Sequence, residues 1–329
     1  MELENRTSFH AALFRGSIDD DRLFGSLVVR VTYDLRGDRL VLAEEQSWPV
    51  SPGPWTSPYG PMEGDELFYR GGVDVFVFGS ARAADGRPAT CVAVTVQAGR
   101  DFSSSVRVFG ERHWERRGSQ LIMAPPQPFD VMPLTIENSY GGKDVWDELP
   151  ISFPNNPDGK GYVISEENAP GKPLPNIEDP EHLIQSWEDQ PEPVGVCPCP
   201  AACGPRVLGR VVFNEETGAL RELKPTLFNH AFPRMIAPFL EADEVVRVTG
   251  VRSGRPIEFA LPQPVARVRV RIGERGDESP PPLDQIGIDV GKQQVFLTYR
   301  YAFRYVMSPL ERRSCELLPA ISSGIGGAP

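Results

Sequence analysis

The stretch from Pro125 to Glu178 reads PPQPFDVMPLTIENSYGGKDVWDELPISFPNNPDGKGYVISEENAPGKPLPNIE, and it constrains the fold of this chain more than any other feature. Its only apolar alternation runs from Val131 to Ile136. Structureless connections inside compact domains rarely exceed about 12 to 15 residues, and this one is several times longer. Tyr140, Trp146, Phe153, Tyr162 and Ile177 recur among its glycines and prolines, whereas disordered linkers are poor in aromatic residues. The stretch therefore reads as an ordered segment wrapped on a folded surface.

What it wraps is a β protein. Thirty-four prolines and 31 glycines among 329 residues favour short strands joined by turns over long helices. Leu27–Tyr33 is β-branched and aromatic, and Arg36-Gly37-Asp38 turns it back into Leu40–Leu42 as a hairpin. After a Pro-rich crossing from Trp48 to Pro61, Val73–Phe78 is apolar on both faces, as a central strand is. Cys91–Val96 and Ser105–Phe109 follow across Gly99, completing an expected meander of about six strands. Pro180–Glu188 is expected to form one short helix with proline at its start. Val207–Phe213, Glu244–Thr249, Ile257–Leu261, Val265–Ile272 and Ile286–Asp289 resume the strand pattern, and Gln294–Tyr299 pairs back across Val290-Gly291-Lys292. In VARVRVRI, Val and Ile share one face with Arg267, Arg269 and Arg271 on the other, the signature of a half-buried antiparallel strand. Pro233 and Pro238 prevent Thr226–Leu240 from forming one regular helix, and Ser322–Pro329 reads as a fraying tail.

The expected architecture is mainly β, with antiparallel sheets in a sandwich or open barrel. It comprises an N-terminal β-rich half (1–124), the ordered loop-rich segment (125–206), a C-terminal β-rich half (207–310) and a tail (311–329), the halves packed as one unit.

Composition narrows function. The net charge of −11, from 34 basic and 45 acidic residues, argues against sequence-independent nucleic-acid binding, which needs clustered Lys and Arg. No window approaches the ~18 consecutive apolar residues of a membrane span. The start, MELENRTSFHAALFRG, has neither a basic leader nor an apolar run, so a cytoplasmic location is expected. The five cysteines, Cys91, Cys197, Cys199, Cys203 and Cys315, are then expected as free thiols.

Signatures of catalysis fail one by one. Gly159-Lys160 lacks the residues of a phosphate loop, Gly324-Ile325-Gly326-Gly327 opens no helix after a strand, and Ser253 has the wrong spacing for a nucleophile elbow. The histidines His10, His113, His182 and His230 are scattered. A spatial triad could use His113 or His230 with Asp130 and a serine. The pairs Asp130/Glu137 and Glu166/Glu167 could serve a glycosidase-like site. CPCPAAC could hold zinc through Cys197, Cys199 and Cys203 if His182, His230 or Cys91 gave a fourth ligand, although the C-x-C-x3-C spacing is not a standard structural-zinc pattern. Trp114, Tyr140, Trp146 and Tyr162 could form a sugar- or peptide-docking surface, or a satellite core under the long loop.

Several blocks, in this order, carry a family resemblance: DVFVFGSA (Asp74–Ala81), VRVFGERHW (Val106–Trp114), PQPFDVMPLTIENSYGG (Pro126–Gly142), NPDGKGY (Asn156–Tyr162), LPNIEDP (Leu174–Pro180) and DQIGIDVGKQQVFLTYR (Asp284–Arg300). Together they resemble domain-of-unknown-function family 2169 (DUF2169) over nearly the whole chain. The resemblance implies a non-enzymatic adaptor or chaperone of the bacterial type VI secretion system. Such an adaptor would bring a secreted effector, often with its PAAR-like domain, to the VgrG spike, without a cofactor. The motif positions Arg112, Trp114, Tyr140, Gly141, Gly142, Asn156, Gly159, Lys160, Gly161, Asn176 and Glu178 would bind the partner or brace the loop. Arg112 and Lys160 are placed to tie loops to carboxylates such as Glu137 or Glu178. The alternatives are a hydrolase acting on carbohydrate or cell-wall material, and a zinc-bound scaffold at Cys197–Cys203.

Overall fold

The computed structural model describes residues 1–17, 22–201, 203–207, 210–306 and 311–320; the Ser322–Pro329 tail lies outside them. The chain is mainly β, built from open sheets that share one hydrophobic core.

The largest sheet has the spatial order His10–Ser17, Arg22–Arg36, Gln294–Val306, Leu283–Asp289, Val73–Phe78, Ile236–Ala237, with Arg39–Leu42 also on Arg22–Arg36. The expected hairpin is there: Arg36 faces Arg39, and Gly37 takes the left-handed φ of +70° that the tight turn requires. Val73–Phe78 is central and wholly buried, and it runs parallel to Leu283–Asp289. Proximity in sequence would have placed it beside the Arg22–Arg36 strand. Instead two C-terminal strands intervene, because the Pro-rich crossing is long enough to carry the chain over the sheet before it re-enters.

The six-strand meander therefore does not form as one sheet. Cys91–Ala98 and Phe102–Phe109 belong to a second sheet, ordered Ile177–Glu178, Phe102–Phe109, Cys91–Ala98, Val245–Thr249, Ile257–Ala260. A third sheet joins Leu3–Asn5, Arg313–Pro319, Ala266–Ile272 and Arg275–Ser279. Arg313–Pro319 lies beyond the last strand legible in the sequence. It pairs with both Leu3–Asn5 and Ala266–Ile272, so partners far away in sequence supply its ladder. On Ala266–Ile272 the valines face the core, and Arg267 and Arg269 lie half-exposed with Glu278 as their common partner.

Val31, Phe76, Phe296, Val94, Val108, Val248, Phe259, Val268 and Leu317, from all three sheets, belong to one buried cluster. Each sheet takes strands from both sides of the 125–206 segment. A second, smaller cluster of Trp114, Tyr140, Phe153, Val163, Ala169, Leu174 and Ile184 lies under that segment. Trp114 and Tyr140 are thus interior, whereas Trp146 is 57% exposed.

Pro180–Glu188 is not a helix but a run of turns. Its backbone donors are diverted to side chains: Glu178 Oε2 accepts from the Ile184 N–H at 3.0 Å, and Asp189 accepts from Gln185 and Ser186, both at 2.8 Å. Such local side-chain acceptors compete directly with helical hydrogen bonds. Thr226–Leu240 is broken as its prolines demand, into two short 3-10 turns, Pro225–Phe228 and Pro233–Met235.

Candidate functional site

The motif residues of the wrap meet as one continuous knot. Tyr140–Gly141 pairs in parallel with Lys160–Gly161. Asn156 ties the pair together: its Nδ2 donates to the carbonyls of Ile136 at 3.1 Å and Tyr140 at 3.0 Å, and its own carbonyl accepts from Gly142 N–H at 2.8 Å. The contacts leave no room for side chains. A Cβ on Gly141, whose φ is +145°, would stand 2.1 Å from the Asn156 carbonyl, and one on Gly159 would stand 2.6 Å from the Ser139 carbonyl. On Gly161 a Cβ would meet the Pro175 ring at 2.6 Å, which joins this knot to the LPNIE passage.

LPNIE is in turn stitched to the second sheet. The Phe109 N–H donates to the Asn176 carbonyl at 2.7 Å, Asn176 Nδ2 returns a bond to the Phe109 carbonyl at 3.0 Å, and Ile177–Glu178 pairs with Val108 and Arg107. Arg112, stacked 4.0 Å from the Phe109 ring centroid, pairs with the Glu178 carboxylate and donates to the Pro175 carbonyl at 3.1 Å. Lys160 reaches Glu111, at 3.4 Å, rather than Glu137 or Glu178. Trp114 exchanges backbone bonds with Lys172 and Gly171.

Arg112, Trp114, Tyr140, Gly141, Gly142, Asn156, Asn176 and Glu178 are buried, with Gly159, Lys160 and Gly161 half-buried. These residues shape a surface from beneath. Burial raises the Glu178 carboxyl above its usual 4.5 despite Arg112 beside it, and burial lowers the Arg112 guanidinium despite Glu178. A buried pair of this kind generally fixes geometry more than it adds net stability.

Where the wrap leaves the sheet it opens a cleft of ≈ 520 Å³. Its lining includes the Ser104–Val106 part of the Phe102–Phe109 strand, Pro191–Gly195, Phe232 and Pro233. Asp179, His182, Glu192 and Arg234 are its ionisable lining residues. Asp179, Glu181 and His182 offer donor atoms close enough together for a cation, but the Arg234 guanidinium already bridges the two carboxylates.

The other sequence candidates do not assemble. Among the described residues Cys197, Cys199 and Cys203 form no group of three ligands with one another or with a histidine. Cys199 instead lies in the main core, its N–H donating to the His230 carbonyl at 2.7 Å, and burial pushes the Cys197 thiol up to about 12. His113, Asp130 and Glu137 are exposed and form no close group of three among the described residues, and Glu166 pairs with Arg116 at 3.3 Å. His230 has Glu63 rather than Asp130 beside it, its Nε2 at 3.5 Å. Burial, then Arg70, Arg206, Arg300 and Arg30, hold its imidazole well below 6.5. The cavity that His230 and Glu63 share has no serine, threonine, cysteine or lysine among its described lining residues.

Sequence reasoning missed a buried ionic lattice on the largest sheet. Arg30 pairs with Asp65 at 2.6 Å, Arg70 with Asp74 at 3.0 Å and Asp284 at 2.9 Å, and Arg300 with Asp284 at 3.1 Å. Asp74 also accepts from the N–H groups of His230 and Ala231 and from Asn229 Nδ2. The available signal was an ionisable residue inside an apolar run, as in LVVRVTY and VDVFVF. Arg30 bonds Thr298, 268 residues away, and the Arg70–Asp284 pair spans 214 residues, so no local pattern could reveal them.

A family model described as an uncharacterized protein conserved in bacteria (DUF2169) matches residues 20–300. No curated protein and no solved structure matches the chain.

Proposed function

The chain belongs to the DUF2169 family, and we propose that it is a non-enzymatic adaptor of the type VI secretion system that binds a cognate effector, through its PAAR-like domain or beside it, and helps load it onto the VgrG spike. The observation that carries this reading is the braced wrap: a long loop-rich segment immobilised by buried motif residues, ending at an apolar cleft. Loops held on a rigid scaffold are where recognition surfaces are commonly built. A reversible adaptor needs a preformed surface of this kind, because ordering a loop at each encounter would subtract from affinity. The reading also places the protein in the cytoplasm, where an effector is held before delivery.

Co-expression with the effector encoded beside it tests this. The expected result is a complex that co-purifies, with loss of effector solubility or secretion when the adaptor gene is deleted. No complex together with unchanged secretion would overturn the proposal.

A further inference from the structure

The second sheet has an edge that its own chain leaves half-covered. Phe102–Phe109 pairs along its whole length with Cys91–Ala98. On its other side only Arg107 and Val108 are paired, with Glu178 and Ile177. The direction of the remaining backbone groups follows from the alternation of an antiparallel ladder. Gly110 N–H points inward, to the Thr90 carbonyl, and Phe109 N–H outward, to the Asn176 carbonyl. Counting back by twos, Arg107, Ser105 and Ser103 direct their N–H and C=O groups outward. Covering strand stops at Glu178, and Pro180, with no N–H to give, follows two residues on. Among the described residues no backbone or side-chain group bonds the outward faces of Ser103 and Ser105.

Of these two, Ser105 lines the cleft, beside Ser104 and Val106. In the Pro191–Gly195 part of the lining, Pro191 and Pro193 have no N–H, Val194 has both backbone groups engaged by the Ser139 hydroxyl, and no backbone bond joins the stretch to Ser103 or Ser105 among the described residues. The edge thus offers outward hydrogen-bonding groups, and the cleft an apolar lining. That combination fits an extended strand and is less suited to a helix, whose backbone groups are already used. Small side chains at Ser103, Ser104 and Ser105 let a strand come to ladder distance. Natural proteins usually block such an edge with charge, proline or a covering element; here the blocking element ends short of it.

The charge around the cleft selects among strands. Arg234 is shared by Asp179 and Glu181, while Glu192, bonded by the neutral Asn155 amide, has no cation paired with it among the described residues, on a chain of net charge −11. We infer that the Ser103–Ser105 edge captures an extended segment of the partner by β-strand addition, the segment alternating apolar residues seated in the cleft with basic residues facing its carboxylates. This rests on the adaptor reading and specifies how the effector is held.

The test uses the full chain, the co-expressed effector, and overlapping peptides of that effector measured by fluorescence polarisation. Ser105→Pro removes an outward donor at a position where an edge strand tolerates proline. It should weaken the bound peptide at least about tenfold, the loss of about one backbone hydrogen bond. Ser105→Ala keeps the backbone donor and should stay within about twofold. Glu192→Lys reverses a charge of the lining and should weaken the same peptide about fivefold at low salt. It also serves if the proline variant loses its circular-dichroism signal. Hydrogen exchange should show the Ser103 and Ser105 amides protected in the complex.

Effector capture with these amides unprotected and both variants at wild-type affinity would overturn strand addition and leave the adaptor reading standing. Failure of the wild type to capture the effector would remove both. A concentration-dependent dimer dispersed by Ser105→Pro would assign the edge to a second copy of this chain, and would equally overturn the inference.

Discussion

Removing one member of the Arg112–Glu178 pair should loosen the whole wrap. Glu178→Gln keeps an acceptor for the Ile184 N–H but leaves the buried guanidinium with no counter-charge, only the Pro175 carbonyl and the Phe109 ring. Breaking a buried pair from one side costs about 3–5 kcal/mol. Arg112→Met should cost as much at pH 7, because it strands the Glu178 carboxylate. The double variant strands no charge. It loses a donor to the Pro175 carbonyl, about 1–3 kcal/mol, so it should be more stable than either single variant. The pH dependence separates the two singles. Glu178 already sits above 4.5 in the folded state, and without Arg112 it rises further. A raised carboxyl favours the folded state below the unfolded value and loses that contribution as pH climbs through the folded value. Arg112→Met should therefore recover stability from pH 7 towards 4.5, by at most about 1.4 kcal/mol per unit, while Glu178→Gln should not. Urea unfolding at pH 7 and pH 5, followed by tryptophan fluorescence, measures all four proteins. Single variants within about 1 kcal/mol of wild type, or a double variant equal to the sum of the singles, would refute the brace.

Gly141→Ala should destabilise by more than about 2 kcal/mol, since it combines positive-φ strain with a backbone clash, whereas Gly218→Ala, at a turn with open space around it, should cost about 1 kcal/mol; thermal melts compare them. His230 is held neutral, with its folded value far below 6.5. Its contribution is complete above pH 6.5 and is lost as pH falls, so His230→Gln should flatten the stability profile between pH 6.5 and 5, and equal slopes in urea titrations would contradict the burial argument. Cys315 is buried and its thiol is pushed up to about 12 by that burial, so its thiolate is scarce at pH 8. Alkylation in native buffer should leave it unlabelled over minutes and label it fully in urea, as read by peptide mass mapping.

How legible the chain was depended on the range of each interaction. The Arg36-Gly37-Asp38 turn, the alternation of Val268 and Val270 with Arg267 and Arg269, and the proline breaks at Pro233 and Pro238 are local, and each formed as read. Arg112 meets Glu178, one of the two carboxylates the motif blocks offered to it and to Lys160. Lys160 found Glu111 instead, a choice made by how the glycine knot turns the chain. The Pro180–Glu188 helix failed because Glu178 and Asp189 took its backbone donors.

From sequence alone came the strand-rich composition, the order and identity of the wrap, and the membership that its motifs announce. Pairing belonged to the tertiary structure: which strand stands beside Val73–Phe78, what closes the sheet at Arg313–Pro319, where Arg30, Arg70 and Arg300 find their carboxylates, and that the edge at Ser103 and Ser105 stays open. The reason is that alternation and turn chemistry act over a few residues, whereas a sheet neighbour is chosen by the packing of the whole core. Two strands with the same pattern compete equally until that packing decides between them.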